Sequence, residues 1–123
     1  MPTARATHER LKAYERLYRE LTSRLAQVGF IWSGTVVRQR LTCGKAGCAC
    51  RQDERSRHGP YYYWTTKVKG RTVSQLLEDD QGELYIAWIQ NRRAVERTLR
   101  KMRALSKKAA PVVLRQRRSG MTE

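Results

Sequence analysis

A chain of 123 residues has room for one modest core, which a metal staple would help considerably, and excludes two large independent domains. Twenty-six lysines and arginines against eleven acids give a formal net charge of +15, which points to a polyanionic partner, since neutralising a phosphate backbone releases its condensed counterions. No apolar run approaches the roughly 18 residues of a membrane span, and the basic segments lack the bulky apolar face of a membrane-surface helix, so no membrane partner is expected.

In chain order, Leu11, Tyr14, Tyr18, Leu21, Leu25 and Val28 recur at alternating intervals of three and four. This is one apolar stripe on a helix over residues 7–28, ended by Gly29. The stripe lasts only about three heptads, so a second helix of the same chain is its economical partner. Thr35 to Thr42 is rich in β-branched residues and predicts a strand, while Tyr61–Val68 and Arg71–Leu77 flank Lys69-Gly70 as a tight hairpin. Asp80 and Glu83 have the form of a capping box. Leu84, Trp88, Val95, Leu99 and Met102 then mark a helix over residues 80–105, with Tyr85 and Ile89 widening its stripe. The two helices are expected to pack as an antiparallel pair. Residues 111–123, opened by Pro111 and poor in apolar side chains, read as a basic mobile tail. The expected architecture is therefore α+β: one domain over residues 1–110, with a three-stranded antiparallel sheet and a metal-binding loop in the region 34–77.

All three cysteines and one of the two histidines fall between Cys43 and His58. Cys43, Cys48, Cys50 and His58 supply one complete Cys₃His set for a tetrahedral structural zinc, and Gly44 and Gly47 suit a loop folding back on an ion. Three thiolates and a neutral imidazole would leave one net negative charge, which Lys45, Arg51, Arg55 and Arg57 lie close enough to offset. Ligands on both sides of one ion would pin the register of the first strand against the hairpin, so losing the ion should loosen the whole middle. Other readings compete. Reduced, unliganded thiols would behave as small buried hydrophobes. A disulfide would leave one cysteine over, and nothing at the N-terminus resembles a signal peptide, so a reducing, cytoplasmic setting is expected. An open catalytic zinc, with Asp53 or Glu54 as base, lacks the His-x-Glu and His-Glu-x-x-His patterns. No nucleophile, base and orienter can be named together, and no enzymatic activity is expected. His8, alone in a charged helix start, is assigned to solvent.

Strand alternation puts Tyr62, Trp64 and Thr66 on one face of the hairpin and Tyr61, Tyr63, Thr65 and Lys67 on the other. One aromatic set should pack on the helices and the other stay near solvent, where rings stack on bases for about 1–3 kcal/mol per base. The candidate nucleic-acid contacts here are Arg38, Arg40, Tyr62, Trp64, Lys67, Lys69 and Arg71, although alternation alone does not choose the exposed face. A two-stranded ribbon entering a major groove is the alternative docking mode. A second basic patch holds Arg92, Arg93, Arg97, Arg100 and Lys101, continues through Arg103, Lys107 and Lys108, and is opposed only by Glu96. Like charges three or four apart destabilise a helix by a few tenths of a kcal/mol each, and phosphate binding is the compensating gain. These residues point to a nonenzymatic, zinc-stabilised protein that binds DNA or RNA. The rival is a protein-interaction adaptor whose helices grip a recombinase, a polymerase or a second copy.

The runs CGKAGCAC and HGPYYYW, a Gly-bearing hairpin and a charged C-terminal helix together resemble an uncharacterised family of small basic bacterial and archaeal proteins, a domain of unknown function. The resemblance spans about residues 34–99 and is sharpest at Cys43-Gly44-Lys45, Cys48, Cys50 and His58-Gly59-Pro60-Tyr61-Tyr62. It implies a setting in transposons, phages and similar mobile elements, hence an accessory or regulatory role near DNA or RNA with a transposase or recombinase as candidate partner. It supplies no catalytic residues. Leu76-Leu77-Glu78-Asp79 stands where such proteins often carry a Val-Pro step, so the junction between hairpin and helix is expected to be placed differently.

Overall fold

Thr3 begins the first helix by accepting the Ala6 amide on its Oγ1, which satisfies one of the donors that every helix leaves orphaned at its start. In the computed structural model, which describes residues 3–120, helix α1 runs Ala4–Ala26. Strand β1 covers Thr35–Leu41, β2 His58–Val68 and β3 Arg71–Leu77, and helix α2 covers Asp79–Arg118. The strands form one antiparallel sheet in the order β1-β2-β3. Two short 3-10 turns, Ala49–Arg51 and Glu54–Ser56, lie in the loop between β1 and β2. The expected α+β class, with its Cys/His loop, is thus the one observed. Within it the chain forms two compact units, one of α1 with the part of α2 from Arg93 onward, the other of residues 29–92.

In the helical unit the two helices run antiparallel. Leu11 and Tyr14 share a groove with Ala109 and Val113, whereas Leu17 and Leu21 share one with Lys101 and Ala104. Thr7, Leu21 and Val112 are buried here. Helix α2 does not stop near residue 105 but passes through Pro111 to Arg118, so residues 111–118 of the expected tail are helical; residues 121–123 lie outside the described residues. An interior proline costs a helix about 3 kcal/mol. Continuing the helix buries Val112 to 3 % exposure and brings Val113 to the groove lined by α1. Fully burying a valine gains about 1.5–3 kcal/mol, so Val112, with a smaller part from the half-buried Val113, goes most of the way to offsetting the proline.

In the sheet unit the hairpin turns as its sequence requires. Lys69 (φ 50°) and Gly70 (φ 81°) both take positive φ, and Val68 faces Arg71 across the turn, the geometry that matches strand twist in two-residue loops. One face of the sheet carries Val36, Arg38, Tyr62, Trp64, Gln75 and Leu77 in cross-strand register. Tyr62 and Leu77 are buried, as is Ile89 of α2. Trp32, from the linker after α1, packs against Trp64, Tyr85 and Trp88, and Phe30 lies 5.2 Å from Trp88 between ring centroids. The linker is also held by hydrogen bonds: the Trp32 amide donates to Trp88 O, Asn91 Nδ2 to Phe30 O and Trp64 Nε1 to Ser33 O. The apolar stripe expected along α2 is therefore divided. Tyr85, Trp88 and Ile89 serve the sheet unit, Val95, Leu99 and Met102 are half-buried in the helical unit, and Leu84 is 44 % exposed.

Tyr62 can reach α2 because residue 82 is glycine. A Cβ at Gly82 would lie 2.7 Å from both Cβ and Cδ1 of Tyr62, closer than carbon atoms approach. The hydroxyl of the same tyrosine donates to Glu83 Oε1. That hydrogen bond and burial together raise the Tyr62 pKa.

Candidate metal centre

Strand β1 ends at Leu41 and delivers Cys43; strand β2 begins with His58. Between them the chain makes a loop whose 3-10 turns return Cys48 and Cys50 toward Cys43. Gly47 turns with φ 84°, as a loop folding back requires, while Gly44 has no positive φ. The Cys-x-Cys pair is brought to one side by the turn that begins after Cys48, whose carbonyl accepts the Arg51 amide. On the other side, Gly59 (φ 112°) carries the chain from His58 into the sheet, where a Cβ would meet the Tyr61 amide nitrogen at 2.8 Å. Gly59 and Pro60 stand opposite Arg40 at the irregularity between Gln39 and Leu41, where a missing proline N–H does least harm to the ladder.

The four ligand atoms of Cys43, Cys48, Cys50 and His58 all lie within 4.8 Å of one another. Cys43 Sγ is 3.5 Å from Cys50 Sγ, and Cys48 Sγ is 3.5 Å from His58 Nε2. Around a tetrahedral ion with Zn–S near 2.3 Å and Zn–N near 2.0 Å, edges of about 3.8 Å between sulfurs and 3.5 Å between sulfur and nitrogen follow from geometry. The set therefore fits one shared ion once its widest pairs draw in by about an ångström. Cys50 is buried, Cys43 and Cys48 are half-buried and His58 is exposed.

The surroundings act on the cysteine thiols in opposite directions. The Cys50 amide, followed by the Cys50 and Cys43 thiols, donates to Cys48 and lowers its pKa. At Cys50 the Cys43 amide, 3.3 Å from its Sγ, also acts to lower the pKa, but burial and the neighbouring Cys48 and Cys43 thiols outweigh it and the net direction is upward. A bound cation would resolve this conflict, because a coordinating thiol is deprotonated outright.

Two cations assigned by sequence to a polyanion have other work. Arg40 Nη2 donates to the carbonyls of Arg55 and Arg57 at 3.1 and 2.9 Å, tying β1 to the far side of the loop. Arg92 Nη1 donates to Trp32 O and Gly34 O, both at 2.9 Å, and is half-buried. These carbonyls were not legible as acceptors, since they come from irregular segments distant in sequence. The expectation that Tyr62 and Trp64 stack on bases is also corrected: theirs is the face packed on α2, with Tyr62 4 % exposed. The outer face carries Tyr61, which is exposed, and Tyr63, which is half-buried, and the glycine at position 82 was the signal that distinguished the faces. Arg38 is exposed, its guanidinium 5.7 Å from the centre of the Tyr62 ring. Lys67, Lys69 and Arg71 are exposed together around the hairpin turn, and Arg93, Arg97, Arg100 and Lys101 are exposed on α2 in the helical unit.

A small α+β protein with a Cys₃His cluster able to hold a metal ion is the class that this fold and site define. The chain belongs to the family described as Domain of unknown function (DUF6788), whose profile matches residues 8–86. That span contains most of α1, the whole metal loop and the sheet, and it stops before the basic stretch of α2; it both starts and ends earlier than the resemblance read from the motifs. No curated protein and no solved structure matches the chain. No helix among the described residues is long and apolar enough to cross a membrane.

Proposed function

We propose that this is a nonenzymatic nucleic-acid-binding protein whose sheet is held by a structural zinc ion. Three soft thiolates with one imidazole suit zinc in a tetrahedral site. Four side chains fill that tetrahedron and leave no position for substrate, which favours a structural over a catalytic ion.

The observation that carries the nucleic-acid reading is a basic stripe on α2. Arg93, Arg97, Arg100, Lys107, Arg115 and Arg118 are all exposed, and at 100° per residue they fall within about 80° of one another around the helix axis. From first to last the stripe is about 37 Å long at 1.5 Å per residue, comparable to a turn of duplex. Residues 93–118 hold ten lysines and arginines against one acid, a field that attracts phosphate and costs helix stability without it. The resemblance to proteins of mobile elements supplies the setting: an accessory or regulatory factor with a transposase or recombinase nearby.

A filter-binding titration of DNA and RNA against salt tests this reading. If about five phosphates are neutralised, log K should fall with log salt at a slope near −4 to −5, and Arg97→Glu with Arg100→Glu should flatten it. Retention of neither polymer at low salt contradicts the proposal. A second reading, an adaptor for a protein partner, draws on Leu17, Tyr18 and Leu114, which stay 37 % to 48 % exposed on the helical unit. A partner that stays bound through nuclease digestion and high salt would favour it.

A further inference from the structure

We infer that the outer face of the sheet is a binding platform for unpaired bases, so that the protein takes single-stranded nucleic acid there; this rests on the nucleic-acid reading above and adds which form of the polymer is recognised. Cross-strand register builds the face row by row: Val37, Tyr63 and Leu76 lie side by side, Gln39 stands beside Tyr61, and Thr35, Thr65 and Ser74 form the next row, with Lys67 beside Thr72. Tyr61 is 38 % exposed, Val37 42 % and Leu76 58 %. The first turns of α2 pack on the opposite face, where Tyr62 and Trp64 are engaged with Glu83 and Tyr85.

The chemistry of this face selects its occupant. Residues i and i+2 of a strand are about 6.6–6.8 Å apart on one face, about twice the 3.4 Å spacing of successive bases along a strand. Tyr61, which is exposed, and the uncovered part of the half-buried Tyr63 can therefore each offer ring surface to a base of an extended strand. Bases in a duplex are stacked on one another and cannot lie on a flat sheet, whereas unpaired bases can. The Ser74 hydroxyl and the Gln39 amide supply donors and acceptors for base edges, and Thr65, whose hydroxyl donates to Thr35 O, can still accept. Among the described residues no carboxylate belongs to the paired rows of this face, Glu78 following only past the end of β3; Lys67 stands on it, and Lys69 and Arg71 at the turn extend the positive charge beyond it. A dry protein interface needs a wider apolar patch than the single row of Val37, Tyr63 and Leu76.

Fluorescence anisotropy of the full, metal-loaded chain tests the inference, using labelled oligothymidylate of about 12 nucleotides and a duplex of equal length. The variant Tyr61→Ala with Tyr63→Ala should bind the single strand at least about 25-fold more weakly, about fivefold per ring lost. Its duplex affinity should be unchanged, and Tyr61→Phe with Tyr63→Phe should bind like the wild type. If the alanine variant does not fold, Tyr61→Leu with Tyr63→Leu keeps the apolar volume, removes the rings and makes the same comparison. Single-strand affinity undiminished in a folded, ring-less variant overturns the inference but leaves the basic stripe standing. Failure of the wild type to bind either probe overturns both. Self-association of the wild type that is lost on Leu76→Ser would assign the face to a second copy and likewise overturn it.

Discussion

Replacing the four candidate ligands one at a time should produce a definite order of damage. Structural zinc binds with about 10–16 kcal/mol of apparent free energy in small Cys/His peptides, so one ligand of four carries about 2.5–4 kcal/mol, or about 10²- to 10³-fold in affinity. Burial decides how this average is distributed. Cys50 is 2 % exposed and accepts the Cys43 amide on its sulfur, so Cys50→Ser removes a ligand from a place that water does not reach and should exceed the average. His58 is exposed, so in His58→Ala a water can take the fourth position and the loss should fall at or below the low end. Cys43→Ser and Cys48→Ser should lie between. Competition against a chromogenic zinc chelator gives the four affinities, and hydrogen exchange of the β1 and β2 amides reports whether the sheet loosens in the same order. Abolition of binding by His58→Ala, with Cys50→Ser close to wild type, would refute the reasoning.

Two further outcomes follow from the packing of Tyr62. An exposed helical Gly→Ala change usually stabilises by about 1 kcal/mol, but Gly82→Ala places a methyl against Tyr62 and should destabilise by about 1–3 kcal/mol, as overpacking does; urea unfolding checks the sign, and a gain in stability would contradict the contact. The Tyr62 pKa is raised above its ordinary value of 10.0 by the hydrogen bond to Glu83 and by burial, so between the unfolded and folded values the unfolded chain holds fewer protons. The contribution of this tyrosine is therefore full below pH 10 and lost as pH rises above it; Tyr62→Phe should remove that part of the alkaline decline measured by thermal melting, and an unchanged decline would contradict it.

The parts of this fold that were legible in the sequence are those set by local chemistry. Lys69-Gly70 determines its own turn because positive φ favours glycine, and the hairpin bounds at Val68 and Arg71 are those expected. The clustering of Cys43, Cys48, Cys50 and His58 was legible because Cys and His at short spacing have few other uses. What escaped depends on contacts between segments far apart. Pro111 reads as a helix stop until Val112 and Val113 are seen to be buried or grooved beyond it. Arg40 and Arg92 read as phosphate ligands until the carbonyls of Arg55, Arg57, Trp32 and Gly34 are in place. The two aromatic faces of β2 look alike in alternation, and only the space over Gly82 decides which one packs. Phe30 and Trp32, in a linker without period, gave no sign of joining the rings of Trp64, Tyr85 and Trp88.

X-ray absorption at the zinc edge, on protein purified without added metal, examines the metal centre directly. Stoichiometric zinc with about three sulfurs near 2.3 Å and one nitrogen near 2.0 Å is the expected result. A chain that carries no zinc, or carries it in a shell of oxygen and nitrogen alone, would contradict the account.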